Sequence, residues 1–292
     1  GTPAVCGHAK ITSYQPWGSS TYHGWANQLT RRFTNGLLFN GSYTWSHDID
    51  NSTAEVFSTY STPRRPQDST NLNADRSSSA LDHRNRITLV MLYDEPFFKK
   101  SNALLRNVLG NWEIAPIYTY QTGTVWDVQS GIDANLNGDT AGDRAFVNPN
   151  GGNTNIGSGV TGLTATSGPN AGQTVAYVVT NPSAGYAEAP KGTYPTAGRN
   201  TMRFNPIDDI DITATKRIAF TERYNLEFSA RVLNVFNHPQ YTGGFLNDIA
   251  PTGATGTVQH LVFEPQSSLF ANLPAAFSSN PRSMVLSLKL LF

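Results

Sequence analysis

The chain alternates. In Gly36–Ser46, Leu37, Phe39, Tyr43 and Trp45 share one face, while Asn40, Ser42, Thr44 and Ser46 lie on the other with Leu38. A period of two marks a β-strand with one apolar and one mixed face. The same period runs through Ile87, Leu89, Met91 and Tyr93, and through Trp112, Ile114, Tyr118 and Tyr120. Pro116 weakens that last strand, because proline cannot donate to a ladder. Ile210, Ile212 and Ala214 oppose Asp209, Asp211, Thr213 and Thr215; Leu226, Phe228, Ala230 and Val232 oppose Asn225, Glu227, Ser229 and Arg231. Upstream, Trp25, Leu29 and Phe33 mark a strand that Thr34-Asn35-Gly36 joins to the next, and Asn-Gly is the strongest short-range hairpin signal. A second tight hairpin is expected through Thr221 and Glu222. At the end, Met284, Leu286, Leu288, Leu290 and Phe292 alternate with Ser283, Val285, Ser287, Lys289 and Leu291.

These are seven long strands, and an eighth is expected around Lys10–Gln15. The connections alternate in length. They are tight at 34–36 and 220–222, medium at 97–110, and long at about 47–83, 125–204 and 237–281. Short turns on one side and long loops on the other is the arrangement of an outer-membrane β-barrel. The expected fold is therefore all-β and antiparallel, a barrel or barrel segment of about eight strands forming a single domain over residues 1–292. A soluble sandwich also alternates, but its loops are typically ~2–6 residues. The even count favours closure, with Lys10–Gln15 against Ser283–Phe292, and Glu113, Asp211, Glu227, Arg231 and Lys289 then fill the interior. The alternatives are a water-filled lumen lined by the same residues, or an open arc whose edges pair with other chains.

Composition removes other classes. Lys plus Arg equals Asp plus Glu, 21 each, so no charge excess points to nucleic acid. Charged residues make up 14% against about 25% in soluble domains. No apolar run approaches the ~18 residues of a membrane helix, and mean hydropathy is −0.35. The single cysteine, Cys6, forms no internal disulfide framework. GTPAVCGHAK lacks the charged and apolar regions of a signal peptide, so a removed signal or a longer parent chain is expected.

The one stretch with ligand spacing is DANLNGDTAGDR. Asp133, Asn135, Asn137 and Gly138 match the first half of a calcium loop, in which hard oxygen donors alternate around one cation. The second half departs, since Arg144 stands where a bidentate Glu belongs; Asp139 or Asp143 is the substitute. The plain alternative is an Asx-rich turn. No enzyme is expected: G-x-S-x-G, H-E-x-x-H and P-loop motifs are absent, and the six histidines show no ligand spacing. Trp25, Trp45 and Trp112 read better as an interfacial girdle than as a sugar platform.

Five segments carry a family resemblance. They are YHGWANQLTRRFTNGLLFNGSYTWSHDID, LDHRNRITLVMLYDEPF, GNWEIAPIYTYQTGT, GRNTMRFNPIDDIDITATKRIAFTERYNLEFSARVLNVFNHPQY and NPRSMVLSLKLLF. In this order they resemble the C-terminal barrel part of Oar-like TonB-dependent outer-membrane receptors. The resemblance implies transport or surface-receptor function, outer-membrane lipid as surroundings, and a Gram-negative-type cell. It also implies that Leu286, Leu288, Leu290 and Phe292 form the signal read by the barrel-insertion machinery. The family's plug and TonB-engaging segment are not recognisable here, so these residues alone are not expected to make an energised importer. Two functions follow: part of a larger receptor, or a truncated barrel unit whose copies assemble into an extracellular polymer or filament.

Overall fold

The structure is a computed structural model that describes residues 13–53, 60–63, 65–138, 140, 142–221, 224–241, 258–277 and 279–292. Lys10, Ile11, Thr12, Asp139 and Glu222 lie outside the described residues. Seven long strands follow one another across an antiparallel meander: β1 (Ser20–Thr34), β2 (Leu37–Asp50), β3 (Asn85–Asp94), β4 (Trp112–Gln121), β5 (Ile207–Ala219), β6 (Asn225–Leu233) and β7 (Ser283–Leu291). A two-residue strand, Ser77–Ser78, pairs with the end of β2. Each long strand is bonded only to its sequence neighbours in this list, and β1 and β7 are edges.

The sheet is thus an open arc. Among the described residues the sheet does not close: of the expected eighth strand, Ser13, Tyr14 and Gln15 are exposed and belong to no strand. The long loops span 51–84, 122–206 and 234–282, all at one end of the meander.

Turn chemistry sets the other end. Asn35 and Gly36 take φ of 52° and 80°, the two left-handed positions of a type I′ turn. A Cβ on Gly36 would meet the Asp94 carbonyl oxygen at 2.2 Å, so glycine is needed for space as well as for φ. Pro116 sits in β4 at the middle of the arc. Its missing N–H coincides with a gap in the β3–β4 ladder opposite Met91 and Leu92, while pairing with β5 runs through Ile212.

The register separates the faces as the alternation predicts. Gln28, Ser42, Thr88, Thr119 and Asp209 stand side by side across five strands. One residue along, Leu29, Gly41, Leu89, Tyr118 and Ile210 form the neighbouring row on the opposite face. In β7, Leu286, Leu288 and Leu290 oppose Ala230, Phe228 and Leu226, while Ser287 and Lys289 oppose Ser229 and Glu227. The arc therefore has one apolar and one polar face along its whole width.

The hydrophobic core lies elsewhere. Its buried members are Tyr60 of the first long loop, Trp126, Val128, Ala145, Tyr186, Ala197, Met202 and Phe204 of the second, and Val262, Phe263, Phe270 and Leu273 of the third. The Trp126 ring meets Phe263 at 5.1 Å edge to face, and Phe270 and Phe204 at 6.2 and 6.4 Å. Backbone bonds tie the loops together: Asp127 N–H donates to Ser61 O at 2.7 Å and Gln129 N–H to Phe263 O at 2.9 Å. Three connections thus fold into one cap above the arc.

Trp126 is 1% exposed and contacts aromatic rings from two loops, so Trp126→Ala should cost about 3–5 kcal/mol of cap stability. Limited proteolysis should then cut all three long loops faster together. Faster cutting confined to the second loop would show that they do not share a core.

Candidate functional site: the arc faces and the loop cap

Strand spacing sets the geometry of the apolar face. On β4, Trp112 and Tyr120 are eight residues apart, about 27 Å of strand. At a tilt of ~35–45° that length rises about 19–22 Å, so both aromatic rings fall within the ~25 Å apolar band of a membrane barrel and near its two ends. Trp25 and Tyr43 pack edge to face at 6.1 Å towards the long-loop end, and Trp112 marks the short-turn end. The tryptophans singled out in the sequence therefore lie at two levels rather than in one platform.

On the polar face the expected charged residues meet through one the sequence reading did not name, Arg217. Its guanidinium reaches Glu227 at 3.0 Å and Glu113 at 3.2 Å, and Lys289 stands 3.5 Å from Glu227. This row crosses four strands, β4 to β7. Asp211 does something different: its Oδ1 accepts the Asn234 N–H at 3.0 Å, holding the end of β6. Arg231 lies on the same face, between Thr213 and Val285. A connected charge row on one face and aliphatic side chains on the other suit water on one side and hydrocarbon on the other.

The cap is anchored to the arc by carboxylates. Asp82, with its side chain fully buried, receives the Asp48 N–H of β2 at 2.9 Å, Arg84 Nε at 2.9 Å, and Arg203 from just before β5. Burial alone pushes its pKa up, but the Asp48 N–H and the two guanidiniums outweigh burial and hold it below the usual carboxylate range.

Asp50, Asp75 and Asp127 are buried, as are Arg144 and Arg199. Arg144 pairs with Asp75 at 2.7 Å and Arg199 with Asp50 at 2.5 Å. Asp127 accepts the Asn200 N–H. Burial raises the Asp127 pKa, and the charge of Asp75 adds to that against the pull of Arg144 and Arg199. Within the cap core, Tyr60 stacks on His260 with centroids 4.1 Å apart and donates to Glu264 Oε1 at 2.7 Å. Burial first, then the Glu264 carboxylate, raises the Tyr60 pKa well above its ordinary value, so the phenol keeps its proton.

In the candidate calcium loop, Asp133 accepts the N–H groups of Asn137 and Gly138, both at 2.9 Å, and Asn135 Oδ1 accepts the Asn137 N–H at 3.0 Å. Asp143 Oδ2 accepts Ala134 and Asn135 N–H at 2.6 and 3.2 Å. The oxygens at these positions thus fold the loop on itself, with Leu136 and Gly138 at φ of 64° and 84°. Among the described residues no group of three or more His, Cys, Asp or Glu is placed to hold a metal ion. The signal the sequence reading missed was the aromatic content of the long loops, from Trp126 to Phe277.

An antiparallel meander with an apolar face between two aromatic levels, a polar face, tight turns at one end and long loops at the other defines the wall of a membrane β-barrel. The chain belongs to the outer membrane beta barrel domain family, whose model matches residues 3–266, and its place is the outer membrane. No curated protein and no solved structure matches it.

Two predictions follow from this geometry. Leu89→Arg on the apolar face should destabilise the inserted protein by about 2–4 kcal/mol, whereas Thr88→Arg on the polar face should be tolerated. Urea unfolding from a bilayer measures both, and equal costs would contradict the facing. The second concerns pH. Asp82 has a lowered folded pKa, so its contribution is complete above the ordinary carboxylate pKa of ~3.9 and is lost as pH falls through the folded value. Asp127 has a raised one, so its cost appears as pH rises from that range through the folded value. At neutral pH, Asp82→Asn should weaken the cap by about 1.5–3 kcal/mol and Asp127→Asn should strengthen it. Proteolysis of the cap across pH reads both signs.

Proposed function

We propose that this chain is a wall segment of a TonB-dependent, Oar-like receptor in a Gram-negative-type outer membrane, with a capped extracellular end and a polar lumen face. The observation that supports the reading is the odd number of long strands among the described residues. In a meander of seven, β1 and β7 run in the same direction. Bending the arc until they meet would place two parallel strands side by side. Copies inserted the same way in the membrane also present only edges of that one direction. Outer-membrane barrels of single bacterial chains are antiparallel with an even strand number. An antiparallel wall therefore takes an odd number of strands beyond the described ones, from the rest of this chain, from a longer polypeptide or from a different partner. Without them each open edge would leave backbone groups unmet in hydrocarbon, at several kcal/mol apiece. The charge row of Glu113, Arg217, Glu227 and Lys289 then faces the passage through which a substrate would move.

A second reading, self-assembly into an extracellular polymer, draws on the cap. No charged residue occurs from Ala145 to Ala187. Within that stretch Val160–Thr164 and Thr174–Val179 form a two-stranded hairpin with exposed Leu163, Val175, Tyr177 and Val178. Uncharged, unprotected edges are those that pair with other chains.

Photo-crosslinking from Ser287 on β7 and Ala26 on β1, in the outer membrane, separates the readings. The receptor reading predicts adducts to strands outside residues 20–291, with an order of contacts along β7 that reveals an antiparallel neighbour. Adducts between copies at these edges would overturn it, and adducts between copies only from Tyr177 would favour the polymer.

A further inference from the structure

The connection between β3 and β4 is not a plain turn. It carries a short helix, Ala103–Val108, whose Asn102 side chain caps the Leu105 N–H at 2.9 Å. No residue of the helix is buried. Its neighbourhood exposes a dense set of large apolar side chains: Phe97 (76%), Leu104 (74%), Leu105, Val108 (57%) and Leu109. In water such a cluster is costly, and exposed patches of this kind mark a binding surface.

The side of the arc on which the helix sits is fixed by Lys216. This residue lies on the apolar face of β5, opposite Trp112 and Phe228. Its ammonium stands over the Trp112 ring at 5.0 Å and donates to the carbonyls of Val108, at 3.2 Å, and Gly110. Trp112 Nε1 also donates to Val108 O at 3.4 Å. The C-terminal end of the helix is thereby held against the lower rim of the apolar face. It is not on the polar side, where Lys99 of the same connection pairs with Asp94 at 2.5 Å.

Position within the arc narrows what can cover this patch. The helix hangs below β4 and β5, with β2 and β3 between it and one edge and β6 between it and the other. Further wall strands attach at β1 and β7 and do not pass beneath the centre of the apolar face. What does lie there, for a chain of the outer membrane, is the bilayer. An apolar cluster at the rim of the hydrocarbon band, with exposed Lys100 and with Arg106 in the last turn, matches an interfacial lipid-binding helix. Lysine and arginine there attract anionic headgroups. The two aromatic side chains of the adjacent hairpin, Phe220 and Tyr224, are also exposed at this end.

We propose that the helix Ala103–Val108 is an interfacial anchor that sinks Leu104 and Val108 into the phospholipid leaflet on the short-turn side. It fixes the depth and tilt of the arc there, and Lys216, satisfied by the helix carbonyls, is the bolt that holds helix to wall.

Spin labels test this on the full chain in a Cys6→Ser background, reconstituted into phosphatidylethanolamine–phosphatidylglycerol vesicles. Leu104→Cys and Val108→Cys carry the label, with Leu89→Cys as a reference in the bilayer and Asn170→Cys as one in water. The expected result is a several-fold higher ratio of oxygen to nickel-chelate relaxation at 104 and 108 than at 170, with a depth shallower than at 89. Labels at 104 and 108 as open to the nickel chelate as that at 170 would overturn the proposal. So would labels reached by neither reagent, which would mean that a second copy or another protein covers the helix. Should either substitution impair insertion, Leu105→Cys and Leu109→Cys make the same measurement from neighbouring positions.

Discussion

The packing of Trp126 against Phe204, Phe263 and Phe270 is where this chain buries itself. A membrane arc cannot build a core of its own, because its apolar side chains face outward and its polar ones face a lumen. The sheet is held by its ladders, and the burial that orders the chain is displaced into the connections. Once three long loops share one aromatic cluster, the strand ends they leave and enter are fixed relative to one another. Asp82 makes that coupling mechanical, since its carboxylate joins the β2 backbone, Arg84 before β3, and Arg203 before β5.

Charge is used differently at the two levels. On the polar face, Arg217 shares two glutamates that are partly open to solvent, an arrangement that contributes little to stability and much to the character of the surface. Under the cap the pairs are dry, so geometry decides their worth. Burial and the charge of Asp75 raise the Asp127 pKa against the pull of Arg144 and Arg199. The cap is therefore tuned by opposing groups: Asp82 favours the docked loops at neutral pH, and Asp127 works against them.

Much of the arc was legible in the sequence. Period two in Leu286, Leu288 and Leu290 fixes their common face, and Asn35-Gly36 fixes the first turn, because both signals are local and follow from backbone geometry. The charge partners Glu113, Glu227 and Lys289 could be placed on one face, but Arg217, which joins them, became visible only with the register. The cap was not legible. Tyr60, Trp126, Phe204 and Phe263 lie tens of residues apart in segments without periodicity, and nothing local says that they meet. Ser13, Tyr14 and Gln15 show the opposite case: a short alternating run looks like a strand whether or not an edge receives it. The spacing of Asp133 and Asn135 was legible, but not that both also accept N–H groups of their own loop.

The fixed relation of the strand ends depends on the long loops being one folded unit rather than three independent connections. Hydrogen exchange of the protein in a bilayer tests it most directly, at the amides that cross between loops: Asp127 to Ser61 and Gln129 to Phe263. These amides should be protected to a similar degree and should lose protection together as denaturant rises, as members of one cooperative unit do. Exchange at unprotected rates, or a separate transition for each loop, would contradict it.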